Sequence, residues 1–292
     1  MSRVINKAVI TAAGLGTRLL PATKNVPKEM LPILNKPMIH YVVKQCLDAG
    51  IKQIIIVIDK DNTAVKDYFE IDPKLISYLQ QKNKLRLIEE IQEICNKVEF
   101  KFVFQDTSLP YGNARPLYSA KGLIDQEPFV YMYGDGIMFG EGAGVCELIN
   151  HYQKYPSKVV LTGTVVPPKQ MLTLGMVRLA ENSDFVVKEV IEKPKPDQID
   201  SNIASVCSYI FDESIFEFMD PSNVQPSEEF QIQDAINKLI QNENVTVCIS
   251  KGKFLTNGDI FSYLEMIIEE ALSRPDTREE FFKILNRIVD SL

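Results

Sequence analysis

Residues 7–18 read KAVITAAGLGTR, and residues 54–58 read IIIVI. The first stretch opens on a short apolar run, 7–11, that breaks into a glycine turn. The second is apolar at every position, as a strand buried on both faces must be. Between them, Pro37 opens a helical pattern in which Ile39, Val42, Val43 and Cys46 share one face, and Gly50 supplies a C-cap. Strand, crossover, strand is the βαβ unit, whose connection makes the two strands parallel.

Working outward, further strands are expected at 100–105, 129–133 and 158–166, with helices at 115–123 and 144–155 between them. The charged, amphipathic stretch 61–97 predicts two helices parted near Asp72-Pro73. From 174 to 210 the pattern shortens to GMVRLA, FVVKEVIE and ASVCSYIF, which predicts a mixed or antiparallel insertion. Helices at 212–219 and 230–241, a strand at 245–249 and a helical region over 260–290 complete the reading. The expected fold class is α/β, a Rossmann-like three-layer sandwich with a mainly parallel central sheet and a small insertion. No repeat, low-complexity tract or flexible linker divides the chain, so one domain over 1–292 is expected.

Apolar residues at 45% and charged residues at 24% place the 292-residue chain among soluble globular proteins. With 32 basic and 39 acidic side chains, the formal net charge is -7. That balance sets up no field for nucleic acid or anionic membrane, so neither is an expected partner, and phosphate binding has to come from local clusters. Cys46, Cys95, Cys146, Cys207 and Cys248 lie far apart with no paired ligand spacing, which reads as free thiols rather than zinc ligands. The opening MSRVINKAVITAAG has a short basic head but passes at once into strand and glycine loop, unlike a secretory signal. No stretch has the length of a transmembrane helix. A cytoplasmic location is the expectation.

The chemistry concentrates in 12-AAGLGTRLLPATKNVPKEMLP-32. Gly14 and Gly16 permit a tight turn and close approach of backbone to a ligand. Arg18, Lys24 and Lys28 follow it; Arg can fork onto a phosphate and Lys can act as a mobile point charge. The pattern matches neither the Walker loop nor the GxGxxG fingerprint. A structural turn and a solvated Lys24 remain the plain alternatives.

At these residues the chain resembles the bacterial UTP–glucose-1-phosphate uridylyltransferases, within the sugar-1-phosphate nucleotidylyltransferase family. The narrowest signal is PATKNVPKEMLP at 21–32. It continues in order with FQ at 104–105, GNA at 112–114, GD at 134–135, LGMV at 174–177, VIEKPKP at 190–196, SNIA at 201–204 and EFQIQDAI at 229–236. The resemblance implies a nucleotide-binding part over 1–140, a sugar-binding part over 141–259 and C-terminal helices over 260–292. It implies that Ala12, Ala13 and Gly14 hold the base and ribose, and that Gly16, Thr17 and Arg18 hold the phosphates. Lys28 would neutralise charge at the α-phosphate, and Gln105 would read the uracil edge beside a close approach at Gly112. Asp135 would hold Mg²⁺ at the C-terminal end of a parallel strand. Gly175 would leave room for the hexose, Glu192 would accept from sugar hydroxyls, Lys193 would engage the sugar phosphate and Asn202 would lie near the sugar. Local alternatives stand beside several of these: a strand-end amide for Gln105, a turn or N-cap for Asp135, an exposed charge pair for Glu192 and Lys193, and a cap for Asn202.

The implied reaction joins UTP and glucose 1-phosphate into UDP-glucose and pyrophosphate, with Arg18, Lys28, Asp135 and Lys193 as the catalytic set. The nucleophile is an anion already, so positioning and charge neutralisation do the work. His40 and His151 both fall in helical patterns and read as structural. The chain departs from the family at several places. Thr256 stands where a second magnesium-binding aspartate is usual, with Asp259 nearby as a partial substitute or an N-cap. Asn113 stands at a usual histidine, Ser262 at a usual glycine, and Asp106, Pro110 and Arg115-Pro116 alter the nucleotide loop. These departures leave open a catalytically impaired nucleotide-sugar-binding protein or partner subunit, and a transferase using dTTP or another sugar 1-phosphate. The terminal helices allow a homo-oligomer.

Overall fold

The computed structural model describes residues 4–291. The first three residues, part of the basic head, and Leu292 lie outside the described residues. Strand β1 (Lys7–Ala12) sits mid-sheet, between β4 (Gln53–Ile58) and β6 (Phe129–Tyr133), and β4 in turn pairs with β5 (Glu99–Phe104). These four strands are parallel. The intervening β2 (Pro32–Ile33) and β3 (Lys36–Pro37) form a two-residue hairpin that leads into α1 (Met38–Asp48). Gly50, with φ of 85°, lies just past the end of α1 as the sequence predicts.

The sheet is a sandwich filling because its strands alternate. Ile54, Ile56 and Ile58 pack into a core with Met38, Val42 and Cys46 of α1. Ile55 and Val57 face the opposite core, with Leu117 of α5 (Ala114–Ser119) and Ile236 of α8 (Ile232–Ile240). Each of these isoleucines is fully buried, which stabilises the fold by roughly 1.5–3 kcal/mol apiece. Helix α6 (Val145–Lys154) covers the first face.

Past β6 the sheet becomes mixed. Strand β11 (Ile203–Phe211), buried along its whole length, runs antiparallel to β6 and to β8 (Val159–Val165), and β8 carries β12 (Val245–Ile249) in parallel. One edge of β11 forks. Its residues 208–211 pair with β6, while Ala204 and Ser205 pair with β9 (Gly175–Leu179), whose hairpin partner is β10 (Val187–Glu192). The register against β8 breaks between Ser205 and Tyr209, and Cys207 inside the break has φ of 42°. Such a bulge bends the strand, and it lies where β11 passes from pairing with β6 to pairing with β9.

Three differences from the sequence reading have physical causes. Residues 61–97 hold three helices, α2 (Ala64–Phe69), α3 (Pro73–Gln81) and α4 (Glu89–Lys97). Asp72 caps α3 by accepting from the Lys74 and Leu75 N–H groups, as its place before Pro73 predicts, but a turn at 82–88 starts a further helix. The stretch 212–219 makes only a 3-10 turn, Glu213–Glu217. Strands β7 (Gly136–Phe139) and β13 (Lys253–Thr256) were not legible: each has four residues, and each is a strand only because it pairs with the other. A short helix, α7 (Pro168–Met171), precedes β9, and α9 (Ile260–Ser273) and α10 (Arg278–Val289) end the described chain. None of the described helices is long and apolar enough to cross a membrane.

Candidate active site

Strands β1, β5 and β6 end on one edge, and the residues singled out in the sequence leave the sheet there. Ala12 and Ala13 are buried at the end of β1, while Gly14, Thr17, Arg18 and Lys24 are exposed beyond it. Gly16 is left-handed at φ 60°, and its carbonyl accepts from the buried Thr23 hydroxyl at 2.7 Å. A Cβ on Gly14 would stand 3.5 Å from the Lys28 Nζ, so the loop passes directly over that ammonium.

Lys28 Nζ donates to Asp135 Oδ2 at 2.5 Å and lies 3.9 Å from Glu29 Oε1. Burial works to lower the Lys28 pKa, but the two carboxylates outweigh it and hold it above its ordinary value. Glu29 is 1% exposed. Burial pushes its carboxyl up to about 7, against Lys28 and with the help of Asp135.

Asp135 is delivered by close strand contact. The Gly134 N–H donates to the Thr11 carbonyl at 2.8 Å, and a Cβ at Gly134 would stand 2.5 Å from that oxygen. The β7–β13 ribbon then sets Thr256 opposite Gly136. The Thr256 hydroxyl donates to the Asp135 carbonyl at 2.6 Å and accepts from the Gly258 N–H at 3.0 Å. Thr256 therefore stands beside Asp135. Asp259 is occupied differently: Oδ1 accepts from the Phe261 and Ser262 N–H groups, and Oδ2 from the Ser262 hydroxyl. It is the N-cap of α9. Burial opposes its charge, yet these donors and Arg18 hold its carboxyl below the usual range.

Asn257 was not singled out in the sequence. It is fully buried; its backbone N–H donates to the Asp135 carbonyl at 3.1 Å and its Nδ2 to the Lys28 carbonyl at 2.6 Å. It ties together segments separated by more than a hundred positions. Only its neighbourhood to the unusual Thr256 marked it.

Among the described residues, no three His, Cys, Asp or Glu side chains cluster as metal ligands. Mg²⁺ in nucleotide sites needs only one or two carboxylates, with phosphates and water completing its shell. The donors here suit that arrangement. Asp135 is partly exposed, and two buried oxygens near it, Glu29 Oε2 and Asn257 Oδ1, have no hydrogen-bond partner.

Across the fork, Gly175 pairs with Glu192. A Cβ on Gly175 would stand 2.8 Å from Glu192 Oε2, so glycine keeps that space open. Burial pushes the Glu192 carboxyl up, Lys193 opposing and Glu229 adding. Lys193 is exposed at φ 44°, a left-handed turn out of the strand, and its N–H donates to the Leu174 carbonyl at 3.2 Å. Asn202 is exposed, and its side chain caps nothing among the described residues; the local cap is Ser201, accepting from the Ile203 N–H.

Gln105 follows β5, half-buried, with its N–H on the Ile58 carbonyl and its amide unpartnered among the described residues. At Gly112, φ is 151°, and a Cβ would stand 2.1 Å from the Phe230 carbonyl oxygen. Gly112 thus packs closely on the Phe230 main chain. His40 binds Tyr68 and Glu90, and His151 lies against Thr246.

The sequence pattern of the nucleotidyl transferase family matches residues 7–271. The chain belongs to that family. It is 32% identical over 288 residues to the UTP–glucose-1-phosphate uridylyltransferase of Bacillus subtilis (strain 168), covering 98% of each chain. It is 34% identical over 286 residues to the enzyme of that name from Staphylococcus haemolyticus, covering 97% of this chain and 98% of the relative. Among solved structures, UTP-bound UGPase from Acinetobacter baumannii superposes with a TM-score of 0.87 at 28% identity, over 97% of this chain and 99% of the other. A UDP-glucose pyrophosphorylase complexed with UDP-glucose gives 0.81 at 29% identity, over 93% and 100%. Within the nucleotidyl transferase family, the loop over Lys28 and the strand-end Asp135 are the parts that the geometry brings into contact.

Proposed function

We propose that this chain transfers the uridylyl group of UTP to glucose 1-phosphate, giving UDP-glucose and pyrophosphate. The observation that carries this reading is the Lys28–Asp135 pair, held under the Gly14 backbone at the end of β6, the strand that shares one edge of β11 with the Gly175–Glu192 hairpin. The activity for which the relatives are named supports the choice of substrates.

In this reading Ala12, Ala13 and Gly14 lie along the base and ribose, and the free amide of Gln105 reads the uracil edge with a donor and an acceptor. Gly112 shapes that loop through Phe230. Gly16, Thr17 and Arg18 receive the outer phosphates. The sugar-phosphate oxygen bonds to the α-phosphorus as the bond to the β-phosphate oxygen breaks, and pyrophosphate leaves with the electron pair. Lys28 stabilises charge at the α-phosphorus, while Lys193 draws the sugar phosphate into line. Glu192 and Asn202 hold sugar hydroxyls beside Gly175. Mg²⁺ would be held by Asp135 and the phosphates and would supply further charge neutralisation when bound. No protein base is used.

We assign residues 1–140 to the nucleotide, 141–259 to the sugar and 260–292 to the C-terminal helices, within one domain. Five free cysteines support a reducing, cytoplasmic setting. Apolar side chains exposed on the last helices, among them Phe261, Phe282 and Ile288, support a homo-oligomer.

One observation favours a second reading. Thr256 offers Asp135 a hydroxyl where the family usually has a carboxylate, which fits a nucleotide-sugar-binding protein without turnover. Pyrophosphate release from a panel of nucleoside triphosphates and sugar 1-phosphates, with and without Mg²⁺, separates the two. Fastest turnover with UTP and glucose 1-phosphate is expected. Binding of UDP-glucose with no release from any pair would overturn the transferase reading, and preference for dTTP or another sugar would reassign the substrate.

A further inference from the structure

Gln233 belongs to the first turn of α8 and is 5% exposed. The orientation of its amide follows from a chain of forced choices. The Ile232 backbone N–H can only donate, and it donates to Asn113 Oδ1 at 2.8 Å. The other Asn113 atom is therefore Nδ2, which donates to Gln233 Oε1 at 2.9 Å. Gln233 Nε2 is left as the outward atom, and it makes no hydrogen bond to the protein among the described residues. It lies 3.7 Å from where a Cβ on Gly175 would stand, and Glu192 Oε2 lies 2.8 Å from the same point.

The space kept open by Gly175 is thus bracketed by a fixed donor and a carboxylate acceptor. A hydroxyl can satisfy both at once, since it accepts through a lone pair and donates through its hydrogen. We propose that Gln233 is a specificity-determining residue that donates to a ring hydroxyl of the hexose also held by Glu192, with Asn113 as its positioning residue. The proposal rests on the sugar-nucleotide reading above. It also joins two parts of the site: Asn113 sits between Gly112 and Ala114, whose backbones lie against Phe230. The loop after Gln105 and the sugar pocket therefore share one amide pair.

The test compares UDP-glucose with UDP by titration calorimetry on the full chain, then compares glucose 1-phosphate with its monodeoxy analogues in turnover. For Gln233→Ala we expect UDP-glucose affinity to fall about tenfold while UDP affinity stays within about twofold, as loss of one buried donor to a hydroxyl predicts. Selectivity for glucose 1-phosphate over one deoxy analogue should fall by a similar factor. Gln233→Glu keeps the shape and the acceptor for Asn113 but loses the donor, so it should give the same selective loss if the alanine variant folds poorly. Asn113→Ala should weaken UDP-glucose in the same direction. A purely structural role would lower stability and affect all sugars alike. An unchanged ratio of UDP-glucose to UDP affinity in both Gln233 variants overturns the proposal. Absence of pyrophosphate release from the unaltered chain would instead defeat the transferase reading, leaving the binding ratio as the test of Gln233.

Discussion

Replacing Thr256 with aspartate asks whether the site wants a second carboxylate. In the structure the Thr256 hydroxyl donates to the Asp135 carbonyl, and a carboxylate cannot. Losing that hydrogen bond costs about 1 kcal/mol, softened because the Asn257 N–H still donates to the same oxygen. The new charge also stands near Asp135 Oδ2, since a Cβ on Gly258 would lie 3.2 Å from Thr256 Oγ1 and 3.7 Å from Asp135 Oδ2. Two carboxylates about 6 Å apart at an effective dielectric of about 20 repel by about 3 kcal/mol, of which Lys28 screens part. Without metal, Thr256→Asp should therefore be destabilised by about 2–4 kcal/mol. Mg²⁺ reverses the sign of the interaction, and at a hundred times its dissociation constant it restores about 2.7 kcal/mol. Thermal unfolding with and without Mg²⁺ reads both terms, and pyrophosphate release under saturating substrates reads the chemistry. Turnover should rise by about an order of magnitude, or about 1.4 kcal/mol of barrier. A variant whose Mg²⁺-dependent gain in unfolding temperature matches that of the unaltered chain, with unchanged turnover, would refute the view that a carboxylate is missing here.

Three further outcomes follow from the same geometry. Glu29 has its folded-state pKa raised from 4.5 to about 7, so its contribution is fullest below pH 4.5 and is lost as pH rises toward 7. Urea unfolding at pH 5 and pH 8 should show Glu29→Gln gaining roughly 3 kcal/mol relative to the unaltered chain across that window; a flat difference would show that the buried carboxyl is not strained by its charge. Gly112→Ala forces a Cβ into the Phe230 backbone and should break the Phe230–Tyr111 and Ala114–Phe230 hydrogen bonds, costing about 2–4 kcal/mol with the backbone strain included. A melting temperature within a degree of the unaltered chain would contradict it. Asn257→Ala should lower the maximal rate about tenfold or more while leaving the KM for UTP within about threefold, because it loosens Lys28 against Asp135 without touching the base; steady-state kinetics in UTP decide it, and an unchanged maximal rate would remove Asn257 from the positioning set.

Much of this was legible in one dimension because its causes are local. The β-branched run 54–58 reads as a buried strand, Asp72 before Pro73 reads as a cap, and Gly14 and Gly16 read as a turn, each from its own residues. The ordered motifs, running from the glycine loop to the strand-end Asp135 and the Glu192–Lys193 turn, likewise sit where the fold uses them. The four-residue strands β7 and β13 were illegible for the opposite reason, since neither has enough residues to show a period and each exists only through its partner.

By itself, the sequence determined the fold class, the family and the polarity of the site, because periodicity, turn chemistry and motif order are written residue by residue. Only the tertiary structure decided which groups meet. Lys28 finds Asp135 across 107 positions, Asn257 clamps both backbones, Gly112 lies against the Phe230 main chain, and Gln233 is turned toward Gly175 by Asn113. Those contacts depend on strand register and on a bulge that forks the sheet, and register is a relation between distant segments that no local pattern carries.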